Sequence, residues 1–316
     1  MFKLQSKDKT SVKVKGWFMK PITWVLNVPT GNWLQFFGDF QDQRFGRWDS
    51  DSCWALSAIN SVEDQLNWLW VNGYFNPEAK AFFLSNNYCD ANGVFSLSEM
   101  FHEILCGQRD QGGTSPMAWQ SFFDKGFIPR SQLTYTVAQS NQWNSQEEFN
   151  NDYFNPAKVT PAMIILGQQS KNYIKTAYQT IGKSYVTPSL LNLTQALKQA
   201  PLCIGIPIPA DVQSWNSPIV KYDGGRIPAH EVELYGIDDK GQYLIFDQYE
   251  PHLKVLSADY LLIFVTQGIV YAVAPATTNP IPQPTQSQVD FWTAVQNWWN
   301  GIWSSIPVGQ NNISSS

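Results

Sequence analysis

The feature that most constrains this chain is a cysteine at the start of a long apolar segment. Residues 49–58 read Asp-Ser-Asp-Ser-Cys-Trp-Ala-Leu-Ser-Ala, a polar turn that runs directly into the apolar segment. The three residues before Cys53 are types that accept hydrogen bonds from the free N–H groups of a first helical turn. Apolar residues then recur at helical spacing as far as Trp70, and Gly73 follows as a stop signal. The pattern predicts a buried helix that begins at or beside Cys53.

The position of the Cys53 thiol favours a nucleophilic role. The first turn of a helix lies at the positive end of the helix dipole, which stabilises a thiolate. A lone cysteine is more often a small buried core residue. The other residues of the chain must therefore decide between these two interpretations.

The composition excludes two classes of function. The chain has 316 residues, of which 43% are hydrophobic and 15% charged, as is typical of a folded globular protein. Its net charge is −5 and its 21 basic residues are dispersed, so we expect no nucleic-acid partner. No segment approaches the roughly 18 consecutive apolar residues of a transmembrane helix, and no signal peptide is recognisable.

The cysteines are few and scattered. They are Cys53, Cys89, Cys106 and Cys203. Their number and spacing fit neither a disulfide framework nor a paired metal-binding motif. We expect four free thiols, no metal and no cofactor.

The order of the predicted elements indicates an α+β protein with two unlike lobes. Residues 1–40 form an N-terminal arm, and helical patterns dominate about residues 41–136. Strand patterns dominate about residues 173–274. The Asn- and Gln-rich residues 137–172 are weakly patterned and are predicted to form a surface insertion.

The composition changes after residue 274. Residues 275–289 are rich in proline and predict a semi-extended linker, whereas residues 307–316 predict a flexible tail. Between them, residues 290–306 predict an aromatic amphipathic helix with an uncharged polar face. Because a membrane-surface helix would carry Lys or Arg there, we expect Phe291–Ile306 to dock on its own domain or to mediate self-association or binding to a partner protein.

Two residues of the strand-rich half complete a candidate catalytic set with Cys53. His230 begins a predicted strand, and the next predicted strand ends at Asp247. A histidine next to a cysteine stabilises the thiolate and later protonates the leaving amine, while a third polar group orients the ring. The other histidines, His102 and His252, lie on a predicted helix and in a loop.

The segments that contain these residues resemble the papain-like cysteine peptidases. Ser52–Ala58 resembles the active-site helix of that family, His230–Gly236 its histidine strand, and Tyr243–Tyr249 the strand of its third catalytic residue. The resemblance covers about residues 41–273 and implies a papain-like domain over residues 41–274. It implies a two-lobe fold, with a helical lobe whose long central helix starts at the catalytic Cys and a β-barrel-like lobe that carries the His.

The resemblance also implies an activity and further site residues. The expected activity is hydrolysis of peptide or amide bonds in a peptide or protein substrate, through a Cys-His-Asp thiolate mechanism and an acyl-enzyme intermediate. Gln43 resembles the glutamine that stabilises the oxyanion if about four residues are inserted before Cys53. The usual spacing would place that residue at Arg47, and Gln41 is a reserve. The residues expected to bind substrate are Trp54, Gly112, Gly113, Glu231 and Tyr249, of which Tyr249 also shields the histidine.

Three departures from the family pattern have consequences. Asp247 stands where the family usually carries asparagine, which should alter the pH profile. Ser50 and Asp110 occupy both positions of the family's first disulfide, which indicates a divergent, disulfide-poor member from a reducing compartment. Glu231 either selects a basic substrate side chain by charge pairing or lies on a solvated face of the sheet, and the sequence does not decide between these.

Two classes of function remain. The first is a papain-like cysteine peptidase, or an amidase or acyltransferase with the same thiol chemistry. The second is a structural or interaction component, for example of a phage virion, in which catalysis is secondary or absent. Intact Cys53, His230 and Asp247 favour the first, and the low charge with 14 Trp, 13 Tyr and 19 Phe favours the second. The expected location is a reducing cytoplasm or an assembled virion.

Overall fold

The structure, a computed structural model, describes most of the chain from residue 26 to residue 274. The described ranges are 26–107, 112–180, 190–209, 211–222, 230–262 and 265–274. The first 25 residues of the arm, the linker 275–289, the amphipathic helix 290–306 and the tail 307–316 lie outside the described residues. What the sequence predicts for them stays a prediction.

Helices come first along the chain and strands follow. The helices are α1 (Cys53–Val71), α2 (Pro77–Ser85), α3 (Glu99–Leu105), α4 (Ser115–Lys125), α5 (Val137–Ser140), α6 (Gln146–Tyr153), α7 (Pro161–Ser170), α8 (Leu190–Leu197) and α9 (Val212–Trp215). The strands are β1 (Arg44–Phe45), β2 (Trp48–Asp49), β3 (Lys175–Thr180), β4 (Leu202–Ile206), β5 (His230–Ile237), β6 (Tyr243–Phe246), β7 (Leu253–Leu256) and β8 (Val265–Ala274). The predicted α+β fold with two unlike halves is confirmed.

The central element is α1, which begins at Cys53 as predicted. Its residues from Trp54 to Leu69 are all buried. It packs against α3 and α4 on one side and against β4, β5 and β8 on the other. Gly73, with a φ of 74°, lies just past the helix end and donates its N–H to the Trp70 carbonyl at 3.1 Å. A glycine accepts this left-handed conformation without strain, so it ends the helix where the sequence predicts.

The strand-rich half is built on a six-stranded antiparallel sheet. The strand order is β3-β8-β4-β5-β6-β7, so β5 lies in the interior between β4 and β6. Side chains alternate between the two faces of β5. Val232 and Leu234 enter a core within the strand-rich half, whereas Tyr235 enters the core built on α1. One strand thereby joins both halves of the molecule.

Residues 137–172 differ from the predicted surface insertion. They contain three helices, and the α6 residues Phe149 and Tyr153 are buried against Phe45 and Tyr135. The aromatic rings of Phe45 and Tyr153 have centroids 5.4 Å apart. The polar composition hides this packing because only the residues on one side of α6 face the core. The domain boundaries given above stay predictions.

Carboxyl groups lie buried where α1 meets β5. Asp64 of α1 and Glu233 of β5 lie next to each other, and both side chains are buried. Burial raises the pKa of Glu233 to about 8 and that of Asp64 well above its ordinary value, which the neighbouring Glu233 raises further. Two carboxylates in contact cannot both ionise at low cost. The pair therefore retains a proton at neutral pH, at the contact between α1 and β5.

We predict that this pair makes the fold less stable at alkaline pH. A carboxyl group whose pKa is higher in the folded than in the unfolded chain binds protons more tightly when folded. The contribution of Glu233 to the free energy of unfolding is therefore highest below its ordinary pKa of 4.5. It is lost as the pH rises through its pKa of about 8 in the folded chain. Glu233→Gln should flatten this decline in urea denaturation series measured from about pH 5 to pH 9.

The exposed Glu147 supplies a matched control for that series. Glu147→Gln removes a carboxylate in water and should leave the pH dependence unchanged. Because His230 titrates in the same range, only the difference between the wild-type and Glu233→Gln curves is diagnostic. Curves of equal slope would contradict a retained proton in the Asp64–Glu233 pair.

Candidate active site

Cys53, His230 and Asp247 lie together where the start of α1 faces the start of β5. The Cys53 thiol, which is partly exposed, lies next to the imidazole of His230 and acts on its charge. His230 Nε2 lies 2.6 Å from Asp247 Oδ1. Asp247 follows directly on β6, which pairs with β5, and this pairing brings the carboxylate to the ring. Since Asp247 takes Nε2, Nδ1 is the ring nitrogen that remains for the sulfur.

The charges at this site favour an ion pair. Burial alone would lower the pKa of His230, but the negative charge of Cys53 and the hydrogen bonds with Asp247 and Cys53 raise it to about 10. Burial alone would raise the pKa of Asp247, but the hydrogen bond and charge of His230 and the charge of Lys254 hold it below its ordinary value. At neutral pH the site therefore holds an imidazolium next to a carboxylate.

The second oxygen of Asp247 has two partners that the sequence analysis missed. Asp247 Oδ2 accepts a hydrogen bond from Trp215 Nε1 at 2.9 Å and another from Lys254 Nζ at 2.7 Å. Lys254 carries a sequence signal, because it alternates with the buried Leu256 along β7 and so takes a core-facing position. Trp215 carries no such signal, since it reaches Asp247 from a distant segment.

Tyr249, for which the sequence predicts a shielding role, lies over the ring of His230. The two rings are stacked, with centroids 5.3 Å apart and planes at 26°. The Tyr249 hydroxyl donates to Asp49 Oδ2 at 2.8 Å and accepts a hydrogen bond from Gln43 Nε2. Asp49 was not a sequence candidate, and it fixes the aromatic cover over the imidazole.

Gln43 belongs to this network through both of its amide hydrogens. Besides its bond to Tyr249, Gln43 Nε2 donates to Asp49 Oδ1 at 2.8 Å. The oxyanion role expected for Gln43 would require its amide to leave these partners. The reserve residue Gln41 is bound as well, since its amide donates to Glu63 at 3.2 Å. Arg47 donates to the Trp143 carbonyl at 2.6 Å.

The backbone offers another donor near the sulfur. Cys53 is the first residue of α1, and the first N–H groups of a helix have no partner within the helix. The Ser52 carbonyl accepts from Ala55 and Leu56 instead. Among the described residues, no backbone carbonyl accepts the Cys53 N–H. This N–H is available to a negatively charged oxygen beside the thiol.

The predicted glycine pair lies against the N-terminal end of α1. A side chain at Gly113 would overlap the ring of Trp54, so only glycine permits this close approach. Gly112, with a φ of 64°, lies next to the Asp51 carbonyl. Trp54 is only 1% exposed and packs beneath the pair. The glycines are thus positioned to border the site, whereas Trp54 supports them from the core.

The Glu231 carboxylate bridges the two halves of the fold. It accepts hydrogen bonds from the Ser115 backbone N–H at 3.0 and 3.2 Å and from the Ser115 hydroxyl. Ser115 opens α4, so the carboxylate lies at the positive end of that helix dipole. Its pKa is raised to about 7 by burial, against the lowering effect of the Ser115 hydrogen bonds and of His230. Glu231 is therefore neither freely solvated nor an uncommitted carboxylate.

The other thiols differ from Cys53 in their environment. All four cysteines are free in the structure. Burial raises the pKa of Cys89 to about 12 and that of Cys106 to about 11, and it raises that of Cys203 well above the ordinary value. In the part of the chain that the structure describes, no group of three His, Cys, Asp or Glu side chains could hold a metal ion. The helices within those same residues include none that is long and apolar enough to span a bilayer.

Comparison with known proteins gives likeness in fold only. No protein-family model matches the chain, and no curated protein matches it in sequence. The bromelain protease from Ananas comosus in complex with the E64 inhibitor is similar at a TM-score of 0.48 and 14% identity, over 77% of this chain and 98% of that chain. The Carica candamarcensis cysteine protease CMS1MS2 in complex with E-64 is similar at a TM-score of 0.49 and 16% identity, over 78% of this chain and 99% of that chain. Digestive procathepsin L 3 from the larval midgut of Tenebrio molitor is similar at a TM-score of 0.47 and 16% identity, over 77% of this chain and 68% of that chain.

We predict that His230 titrates at lower pH when Cys53 is replaced by alanine. Cys53→Ala removes both a negative charge and a hydrogen bond that stabilise the imidazolium, while Asp247 remains. NMR titrations of the His230 ring in both proteins should show a lower midpoint in the variant than in the wild type, where these interactions raise the pKa to about 10. His102 serves as an internal control, because burial already lowers its pKa to about 3. An unchanged His230 midpoint would mean that Cys53 carries no charge beside it.

Proposed function

We propose that the protein is a cysteine peptidase that hydrolyses peptide or amide bonds in a peptide or protein substrate. The observation that supports this most is the row of adjacent groups from Cys53 through His230 to Asp247, in which His230 is hydrogen-bonded to Asp247. It combines a partly exposed thiol at a helix N-terminus with an imidazole that is charged at neutral pH. These are the conditions in which a cysteine becomes a nucleophile.

In the first step, the Cys53 thiolate attacks the carbonyl carbon of the scissile bond. A carbon–sulfur bond forms, and the carbonyl electron pair moves to the oxygen, where the Cys53 backbone N–H can stabilise it. His230 then donates its Nδ1 proton to the leaving nitrogen as the carbon–nitrogen bond breaks. The amine departs, and the acyl group remains on the sulfur as a thioester.

In the second step, a water molecule releases the acyl group. Neutral His230 takes a proton from the water, whose oxygen attacks the thioester carbon. The carbon–sulfur bond breaks, the carboxylic acid leaves, and the thiolate–imidazolium pair is restored. Throughout both steps, Asp247 holds the Nε2–H side of the ring and Tyr249 keeps water from its face.

The finer parts of the proposal concern partners and location. Cys53 chemistry would also serve an amidase or acyltransferase, and a reducing compartment agrees with four free thiols. A role in a phage virion, and self-association through residues 291–306, stay predictions because no described residue bears on them. The alternative is a structural or interaction component that keeps the fold without catalysis.

We predict that Cys53→Ala abolishes turnover without loss of the fold. Removal of the nucleophile should lower hydrolysis of fluorescently labelled casein about 10³-fold or more. The same variant should no longer react with an iodoacetamide or epoxide probe at neutral pH. Cys106→Ser is the matched control, since Cys106 is partly exposed like Cys53 but is not part of the site, and both readouts should persist. An inert Cys53 in the wild type would contradict the peptidase proposal and favour the alternative.

We predict a small effect for Gln43→Ala. Since the Gln43 amide is bound to Asp49 and Tyr249, its loss should loosen the aromatic cover and lower kcat by about tenfold or less. Loss of a direct oxyanion donor lowers kcat by about 10² to 10³. Steady-state kinetics therefore separate the two roles, and a fall of the larger size would return the oxyanion role to Gln43.

A further inference from the structure

Lys254 is a buried charge with a complete set of hydrogen-bond partners. Its Nζ donates to Asp247 Oδ2 at 2.7 Å, to the Tyr249 carbonyl at 2.8 Å and to the Pro251 carbonyl at 2.6 Å. Only 1% of its side chain is exposed. An ammonium group has three donors, and all three are used here. Lysine is almost never buried without a partner, so the position is built to hold this charge.

The Asp247 carboxylate is shared between two cations on opposite sides. Its Oδ1 accepts from His230 Nε2, and its Oδ2 accepts from Lys254 and from the Trp215 indole. The Trp215 ring also lies edge-on to His230, with centroids 5.9 Å apart, and 5.2 Å from the ammonium group. The two cations therefore act on one carboxylate within a single packed cluster.

Charge alternates along this buried row. When Cys53 is a thiolate, the order is negative at Cys53, positive at His230, negative at Asp247 and positive at Lys254. A neutral amide in place of Asp247 would orient the imidazole with no added charge. A buried carboxylate adds a negative charge, which needs a counter-charge because desolvation of an unpaired ion is costly.

We propose that Lys254 is a positioning residue that acts through Asp247 in the peptidase reaction proposed above, on which this inference rests. The positive charge of Lys254 partly neutralises the negative charge of Asp247, and so it weakens the attraction of Asp247 for the imidazolium of His230. His230 can then transfer its proton to the leaving nitrogen at neutral pH. The same ammonium fixes the Tyr249 carbonyl, and so it also holds the ring that covers His230.

Other titratable groups surround the row and stay constant in the test. Glu231 lies next to His230 on β5, and Tyr249, with Asp49 and Arg44 behind it, lies on the ring face. His252 contacts the Asp247 backbone carbonyl through Nδ1 at 2.9 Å. Because none of these is changed, differences among the variants below report on Lys254 and Asp247.

The test is a double-mutant cycle read by alkylation of Cys53. The four proteins are wild type, Lys254→Met, Asp247→Asn and the double variant. The rate of iodoacetamide reaction at Cys53 is measured against pH, with the modified peptide identified by mass spectrometry. The profile has one midpoint where the thiolate forms and another where His230 loses its proton.

The inference predicts opposite shifts for the two single variants. Lys254→Met removes a positive charge and should move both midpoints to higher pH by about one unit or more. Asp247→Asn removes a negative charge and should move both to lower pH. The double variant is again charge-balanced, so its midpoints should return close to those of the wild type, and its kcat should exceed that of either single variant.

A purely structural lysine gives a different result. Each change would then lower the amount of active protein without moving the midpoints, and the losses would multiply in the double variant. Either finding overturns the inference. Lys240→Met, at an exposed turn residue, is the control for loss of a lysine and should leave the midpoints unchanged.

Two further comparisons keep the test decisive. If Lys254→Met does not fold, the double variant is compared with Asp247→Asn instead. The double variant must then have higher midpoints than Asp247→Asn, and equal midpoints in the two proteins would overturn the inference. Wild-type Cys53 that reacts no faster than glutathione at neutral pH overturns the proposed function, and the inference with it. Fast wild-type reaction with unmoved midpoints in Lys254→Met overturns the inference alone.

Discussion

The hydrogen bond between His230 and Asp247 is the interaction on which the site depends. It joins His230, the first residue of β5, to Asp247, which directly follows β6. The register of β5 with β6 therefore determines where the imidazole lies relative to the carboxylate. The register is in turn fixed by the core, because a slip of one residue would turn Val232 and Leu234 out of it. The packing of the strand-rich half thus sets the distance from the imidazole to the thiol on α1.

The same strand joins that site to the stability of the whole molecule. β5 presents His230 at its first residue, while Glu233 further along meets Asp64 of α1. At both positions, buried groups that gain or lose a proton face α1. The packing of α1 on β5 is therefore sensitive to pH at two points. Tyr235 of β5 and Cys203 of the neighbouring β4 pack in the apolar core built on α1.

Local sequence patterns predicted those parts of the site that lie on regular elements. The start of α1 at Cys53, the extent of α4 and the strand that begins at His230 all follow from patterns within short windows. Asp49 and Trp215 were not predicted, because each meets the site through a contact between distant segments, whereas the core-facing position of Lys254 on β7 follows from its alternation with Leu256. The burial of Phe149 was not predicted, because α6 packs through only a few apolar residues on one face. The polar residues on its other faces hide that pattern in the sequence. The oxyanion role given to Gln43 came from the resemblance of its local sequence to a family motif, which cannot reveal that Tyr249 and Asp49 bind its amide.

The bridge from Glu231 to Ser115 fixes the first turn of α4 against β5. The carboxylate holds three donor–acceptor contacts at the first turn of α4, close to the glycine pair and beside His230. To part the two halves there, all three contacts must be broken at once. Beside His230, the separation between the first turn of α4 and β5 is therefore set by one residue from each element.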